Sequence, residues 1–191
     1  MERELVMSGI GGQGIQMASS VLAAAAFAEG FEVQLFGSYG GMMRGGATEA
    51  SVVFATDPVE APPTFGAAWS VVLLHDEHSE HARRCLRPGS VLFVNSSVVT
   101  SLDEPEGVTV VEVPATAIAS DVGHANAVSL VMAGAYAAAT GIVGMSALTV
   151  AAAEALPPYR VQHRALNEAA LMAGAGAVAP GSAAAWPDGD R

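Results

Sequence analysis

Gly9-Ile10-Gly11-Gly12-Gln13-Gly14 is the stretch that sets the fold of this chain. A short apolar run, Leu5-Val6-Met7, precedes it, and an uncharged segment from Ile15 to Ala28 follows it. That order reads as strand, glycine turn, helix. Gly9 permits a sharp reversal, Gly11 lets backbone approach a ligand, and Gly14 lets the helix lie close on the strand. The unpaired N–H groups at the helix start, with the positive end of its dipole, then offer an anion site. Gly12 and Gln13 complete that candidate site.

A second backbone loop lies at Gly37-Ser38-Tyr39-Gly40-Gly41-Met42-Met43-Arg44-Gly45-Gly46, with five glycines in ten residues. Arg44 is the only basic residue between Arg3 and Arg83. A guanidinium between glycines suits bidentate recognition of phosphate or carboxylate, and equally suits an ion pair with Glu49. Tyr39, Arg44, Gly45 and Gly46 therefore join the candidate binding residues. Ala47 to Ala55 alternates as a strand, and no helix fits between it and the second strand, Phe31 to Phe36. A parallel neighbour needs a long crossover, so this pair is expected to be antiparallel and the sheet mixed.

The acidic residue that holds ribose hydroxyls at the end of the second strand in dinucleotide sites is missing. Glu32 is at the wrong end of that strand. The rest of the chain reads as strands at Trp69 to His75, Val91 to Val94 and Val108 to Val113. Helices are expected near Ser120, over Ala125 to Thr140, Ser146 to Leu156 and Val161 to Ala173. The fold class is thus α/β: a three-layer α/β/α arrangement on a mixed, mostly parallel sheet, with a Rossmann-like first βα unit. Residues 1–176 are expected to form one domain and 177–191, rich in Ala, Gly and Pro, a flexible tail.

Composition narrows the chemistry. The 191 residues carry a net charge of −11, which disfavours nucleic acid and anionic membrane as partners. The single cysteine, Cys85, cannot form a disulfide framework or hold a metal cluster within the chain, and a cytoplasmic location is expected. All eight basic residues are arginine, which excludes a P-loop and a pyridoxal phosphate Schiff base. The uncharged run from Val122 to Ala153 reads as two buried helices, since alanine contributes little to membrane transfer. His75, His78 and His81 would diverge along a helix, so a solvated helix start is expected there and no metal site. No nucleophile elbow, zinc-protease motif or thiamine diphosphate motif is present, and no catalytic residue is assigned.

Taken together these pieces resemble the gamma subunit of the 2-oxoacid:ferredoxin oxidoreductases, which also occurs as a domain of the fused pyruvate enzymes and in the indolepyruvate enzyme. The resemblance starts at Gly9 to Gly14 and includes Ala18 and Leu22 to Ala25. It continues through Tyr39-Gly40, Arg44-Gly45-Gly46, Ser51 and Val53. It resumes at Val113-Pro114-Ala115-Thr116, Ile118-Ala119 and Asn126, and ends at Asn167 and Gly174. It implies one subunit of a complex that decarboxylates a 2-oxoacid with coenzyme A, giving acyl-CoA, carbon dioxide and reduced ferredoxin. Thiamine diphosphate, Mg and iron–sulfur clusters would then belong to the alpha, beta and ferredoxin-like subunits, with none bound by this chain alone. The glycine loops would lie on the coenzyme A side. Two other readings stay open: a stand-alone flavin or NAD(P) protein, and a non-catalytic interaction module.

Overall fold

The computed structural model describes residues 1–39, 45–62, 66–103 and 105–186. Six strands form one sheet: β1 (Glu2–Ile10), β2 (Glu32–Tyr39), β3 (Ala47–Ala55), β4 (Ser70–Leu73), β5 (Val91–Asn95) and β6 (Thr109–Val113). Their order is β2-β3-β1-β4-β5-β6. β3 runs against both neighbours, and β1, β4, β5 and β6 run parallel. The short link between β2 and β3 leaves no room for a crossover, so the expected antiparallel pair and mixed sheet both hold. The helices are α1 (Ile15–Ala28), α2 (Glu80–Arg84), α3 (Ala115–Asp121), α4 (Val128–Thr140), α5 (Met145–Glu154) and α6 (Arg164–Gly176), with 3-10 turns at Ala125–Ala127 and Pro158–His163.

The two faces of the sheet are covered unequally. Alternate strand residues Leu5, Met7, Val52, Phe54, Val72 and Phe93 pack under α1, α4 and α6 in the main core. Their neighbours Val6, Val71, Leu73, Leu92 and Val94 pack under α2, Cys85 and Val99 in a smaller one. The period-2 pattern of a strand divides the residues this way. The third layer is therefore a single short helix with its flanking loops. Tyr136 ties α4 to the sheet: its ring meets Phe93 edge-on at 5.1 Å and its hydroxyl is 2.9 Å from Ser70 Oγ.

Three expectations need correction. The sequence places the reversal at Gly9, yet β1 runs through Gly9 to Ile10. The antiparallel partner β3 holds that end of β1 in register, pairing Gly9 with Thr48 and Ile10 with Ala47. The reversal comes at Gly12 and Gly14, which adopt φ of 106° and 82°. The uncharged run from 122 to 153 forms two helices as expected, but only α4 is buried nearly throughout. α5 exposes Val150. The expected free tail differs most: Ala185 and Trp186 are buried, and Trp186 stacks on Phe31 with ring centroids 5.1 Å apart. No helix among the described residues is long and apolar enough to cross a membrane.

Candidate functional site

The two glycine loops meet. Gly11 N–H donates to Gly46 C=O at 2.8 Å, and Gly45 N–H donates to Gly11 C=O at 3.2 Å. This pair extends the β1–β3 ladder one step past Ile10 and Ala47. Register alone thus brings Gly45 and Gly46 beside the turn that opens α1. Tyr39 ends β2. Arg44 lies outside the described residues.

Gln13 turns inward rather than outward. Its Oε1 accepts from Ile10 N–H at 2.9 Å, and its Nε2 donates to Leu74 C=O at 3.2 Å. The side chain closes the turn and ties it to the end of β4. Leu74 C=O also accepts from Asn95 Nδ2 at 3.3 Å, and Asn95 in turn holds Thr116. The C-terminal ends of β1, β4 and β5 are thereby cross-linked where the chain switches from one side of β1 to the other, the place where open α/β sheets take ligands.

Behind the turn is a cavity of about 450 Å³. Gly12 and Gly14 form one wall, and His124, Asn126, Ser129, Arg160, His163 and Asn167 supply its polar groups. Met17, Leu130 and Leu156 supply apolar ones. Of the sequence candidates among the described residues, only Gly12 and Gly14 reach it. Gly14 is in the left-handed region at the start of α1, and a Cβ there would meet Ser129 Oγ, so the hydroxyl of α4 lies against bare backbone of α1. His124 and His163 stack at 5.4 Å with their planes 9° apart. Ser129 and Asn167 are 2% and 3% exposed. No hydrogen bond from either side chain is found among the described residues. His163 Nδ1 is likewise buried without a partner.

Sequence reasoning reached Asn126 and Asn167 only through the family resemblance, and missed His124, Ser129, Arg160 and His163. The signal available was sparse: Arg160 and His163 follow Pro157-Pro158, which reads as mere punctuation. The histidines singled out instead go elsewhere. His81 Nδ1 pairs with Glu49 Oε1 at 2.8 Å, and His75 Nδ1 accepts from Glu77 N–H at 3.0 Å. No group of three metal-ligating side chains gathers among the described residues.

Comparison with known proteins gives a consistent result. The family described as "Pyruvate ferredoxin/flavodoxin oxidoreductase" matches residues 4–177. The chain is 31% identical over 160 residues to the 2-oxoglutarate synthase subunit KorC of Methanocaldococcus jannaschii, covering 82% of this chain and 85% of that one. Among solved structures, a keto/oxoacid ferredoxin oxidoreductase gamma subunit from Geobacter sulfurreducens superposes with a TM-score of 0.74 at 29% identity, covering 93% and 96% of the two chains. The pyruvate oxidoreductase subunit PORC of Thermotoga maritima superposes with a TM-score of 0.75 at 26% identity, covering 92% and 96%.

Proposed function

This chain belongs to the pyruvate ferredoxin/flavodoxin oxidoreductase family, and on that premise we propose that residues 1–176 are the gamma-type domain that completes the coenzyme A side of a 2-oxoacid:ferredoxin oxidoreductase. The complex turns a 2-oxoacid, coenzyme A and oxidised ferredoxin into acyl-CoA, carbon dioxide and reduced ferredoxin. Its thiamine diphosphate, Mg and iron–sulfur clusters reside on the alpha, beta and ferredoxin-like subunits. One buried cysteine and no thiamine motif in this chain support placing them there. The assembly works in the cytoplasm, with ferredoxin as its electron acceptor.

Coenzyme A is the one cofactor of the set whose chemistry fits residues present here. When bound it supplies the thiol that accepts the acyl group. The turn at Gly11 to Gly14, with Gly45 and Gly46 beside it and Arg44 between them and Tyr39, offers amide donors and one guanidinium to its phosphate-bearing end. Gln13 contributes by fixing the turn. The observation that carries this reading is the direct pairing of the two glycine loops, Gly11 with Gly45 and Gly46. A stand-alone dinucleotide protein would want a carboxylate at the end of β2, and Glu32 is at its start.

The test is reconstitution. The chain should co-purify with thiamine-bearing subunits, and the assembled complex should reduce an artificial one-electron acceptor only with both a 2-oxoacid and coenzyme A. Pyruvate, 2-oxoglutarate and 2-oxoisovalerate offered in parallel would identify the substrate. Arg44→Ala should raise the KM for coenzyme A about tenfold or more, the scale of one charge-assisted contact. Arg84→Ala, at an exposed site on α2, should leave it unchanged. Equal behaviour of the two variants would remove Arg44 from the site.

A further inference from the structure

Three helices begin at one hole. Gly14, Ala127 and His163 are the residues at the N-terminal caps of α1, α4 and α6, and all three line the 450 Å³ cavity. These helices are 14, 13 and 13 residues long, long enough for a full terminal dipole. None of the three is capped by a side-chain hydrogen bond, and none has an acidic residue in its first turn. Proteins ordinarily satisfy such ends with Ser, Thr, Asp or Asn, or with a carboxylate near the dipole. α4 and α6, however, each continue a 3-10 turn, and Arg164 N–H is bonded to Val161 C=O, so the open start is that of α1, in a chain whose net charge is −11.

The side chains point the same way. No carboxylate lines the cavity among the described residues, whereas Arg160, His124 and His163 all do. Ser129 and Asn167 are at least nine-tenths buried, face the cavity and have no hydrogen-bond partner among the described residues. Beside them His163 Nδ1 is fully buried without a partner, which buried polar atoms seldom are, and it marks a place where a ligand completes the bonding.

We propose that this cavity is a binding site for the phosphate group of a soluble phosphate ester, received by the N-terminus of α1 and held by Arg160, His163, Ser129 and Asn167. A phosphate offers three oxygens to the α1 amides and these side chains, more than one carboxylate does. The volume exceeds that of a phosphate alone, so the remainder of the ester lies along Met17, Leu130 and Leu156, as in ordinary small-molecule pockets. The proposal goes beyond the coenzyme A reading, since of the described residues named there only Gly12 and Gly14 line this cavity. It does not require that the ester be coenzyme A.

Inorganic pyrophosphate is the probe, added to the full chain at constant ionic strength and followed by calorimetry and thermal melting. Saturable binding with a rise in Tm that follows mass action is expected. Arg160→Ala, at an exposed residue whose loss leaves the core alone, should weaken pyrophosphate about tenfold or more. Asn167→Asp, nearly isosteric, should abolish binding by placing a carboxylate among the donors. Arg84→Ala should bind as the parent chain does. Absence of saturable binding, or equal affinity in the Arg160 and Arg84 variants, overturns the proposal. The KM for coenzyme A of the assembled complex separates the two readings. If Arg160→Ala loses pyrophosphate but keeps that KM, the phosphate site stands and its ligand is another ester. If the KM rises while pyrophosphate binding is untouched, the site assignment here is wrong and the broader coenzyme A reading survives.

Discussion

Gln13 uses both ends of its amide on the chain itself, accepting from Ile10 and donating to Leu74. Gln13→Glu keeps the acceptor but replaces the donor with an oxygen facing the Leu74 carbonyl. The expected cost is about 1–3 kcal/mol, from one lost hydrogen bond and an oxygen set against the Leu74 carbonyl, which keeps only its Asn95 donor. For a chain of this size that is a Tm lowered by roughly 3–10 °C at neutral pH. An unchanged melting curve would show that the turn holds without this brace. Asp76 gives a second residue-scale test. Partial burial works against its charged form, but the Thr100 N–H and hydroxyl and the Arg83 guanidinium more than offset this and hold its carboxyl below the ordinary aspartate range. A depressed native pKa contributes stability that is complete above the unfolded value, near 4, and is lost as pH falls through the lower native value. In urea melts, wild type should therefore exceed Asp76→Asn by a constant margin at pH 5–7, and the margin should close as pH drops below about 4. A margin that persists at the lowest pH would mean that the ion-paired form is not the source.

At the scale of elements, α4 and α6 touch backbone to backbone. A Cβ on Gly134 would run into the Leu171 carbonyl, and one on Gly174 into that of Val131. Neither obstacle is a flexible side chain, so alanine at either position must push the helices apart. Gly134→Ala and Gly174→Ala should each cost about 3 kcal/mol, the upper range for overpacking. The double variant should cost clearly less than the sum, because helices already separated by one methyl group admit the second more easily. Additive losses would mean that the two contacts yield independently. The sequence shows Gly134 and Gly174 only as glycines in helices, since their meaning lies in a contact between segments about forty residues apart. By contrast the bounds of α1 and β3 are legible outright. Ile15 to Ala28 is an uncharged run between a glycine turn and Glu29-Gly30, and Ala47 to Ala55 alternates between a glycine loop and a proline-rich one. The two glycine loops stand out in the sequence, but the pairing of Gly11 with Gly46 depends on the β1–β3 register, which only the fold reveals. The cavity was not legible: Ser129 and Asn167 read as ordinary helix polar residues until folding sets them on one cavity wall. Arg160 and His163 lie on a 3-10 turn with no periodic signal.

Across the whole molecule, α4 is an axle with a different job at each end. Its N-terminus opens on the cavity, and its C-terminus is closed by the chain's own end. Gly181, Ala183 and Ala185 donate to the carbonyls of Ala138, Ala139 and Thr140 at 2.9, 2.9 and 2.7 Å. Those are carbonyls that a helix end leaves open unless something supplies donors. Trp186 anchors the segment: it stacks on Phe31, donates from Nε1 to Ile142 C=O at 3.4 Å, and packs against the Arg3 guanidinium, whose Nε donates to Ala185 C=O at 2.6 Å. Composition reads this stretch as disordered because alanine and glycine offer little to bury. One large aromatic and three backbone bonds reverse that. Trp186→Ala should therefore cost about 3 kcal/mol, the low end for truncating a buried aromatic, and lower Tm by roughly 6–12 °C. Pyrophosphate affinity should not change, since the cavity is at the other end of α4. A variant that melts like the parent would return this segment to the status of a loose tail, and one that loses pyrophosphate as well would mean that the two ends of the helix are coupled.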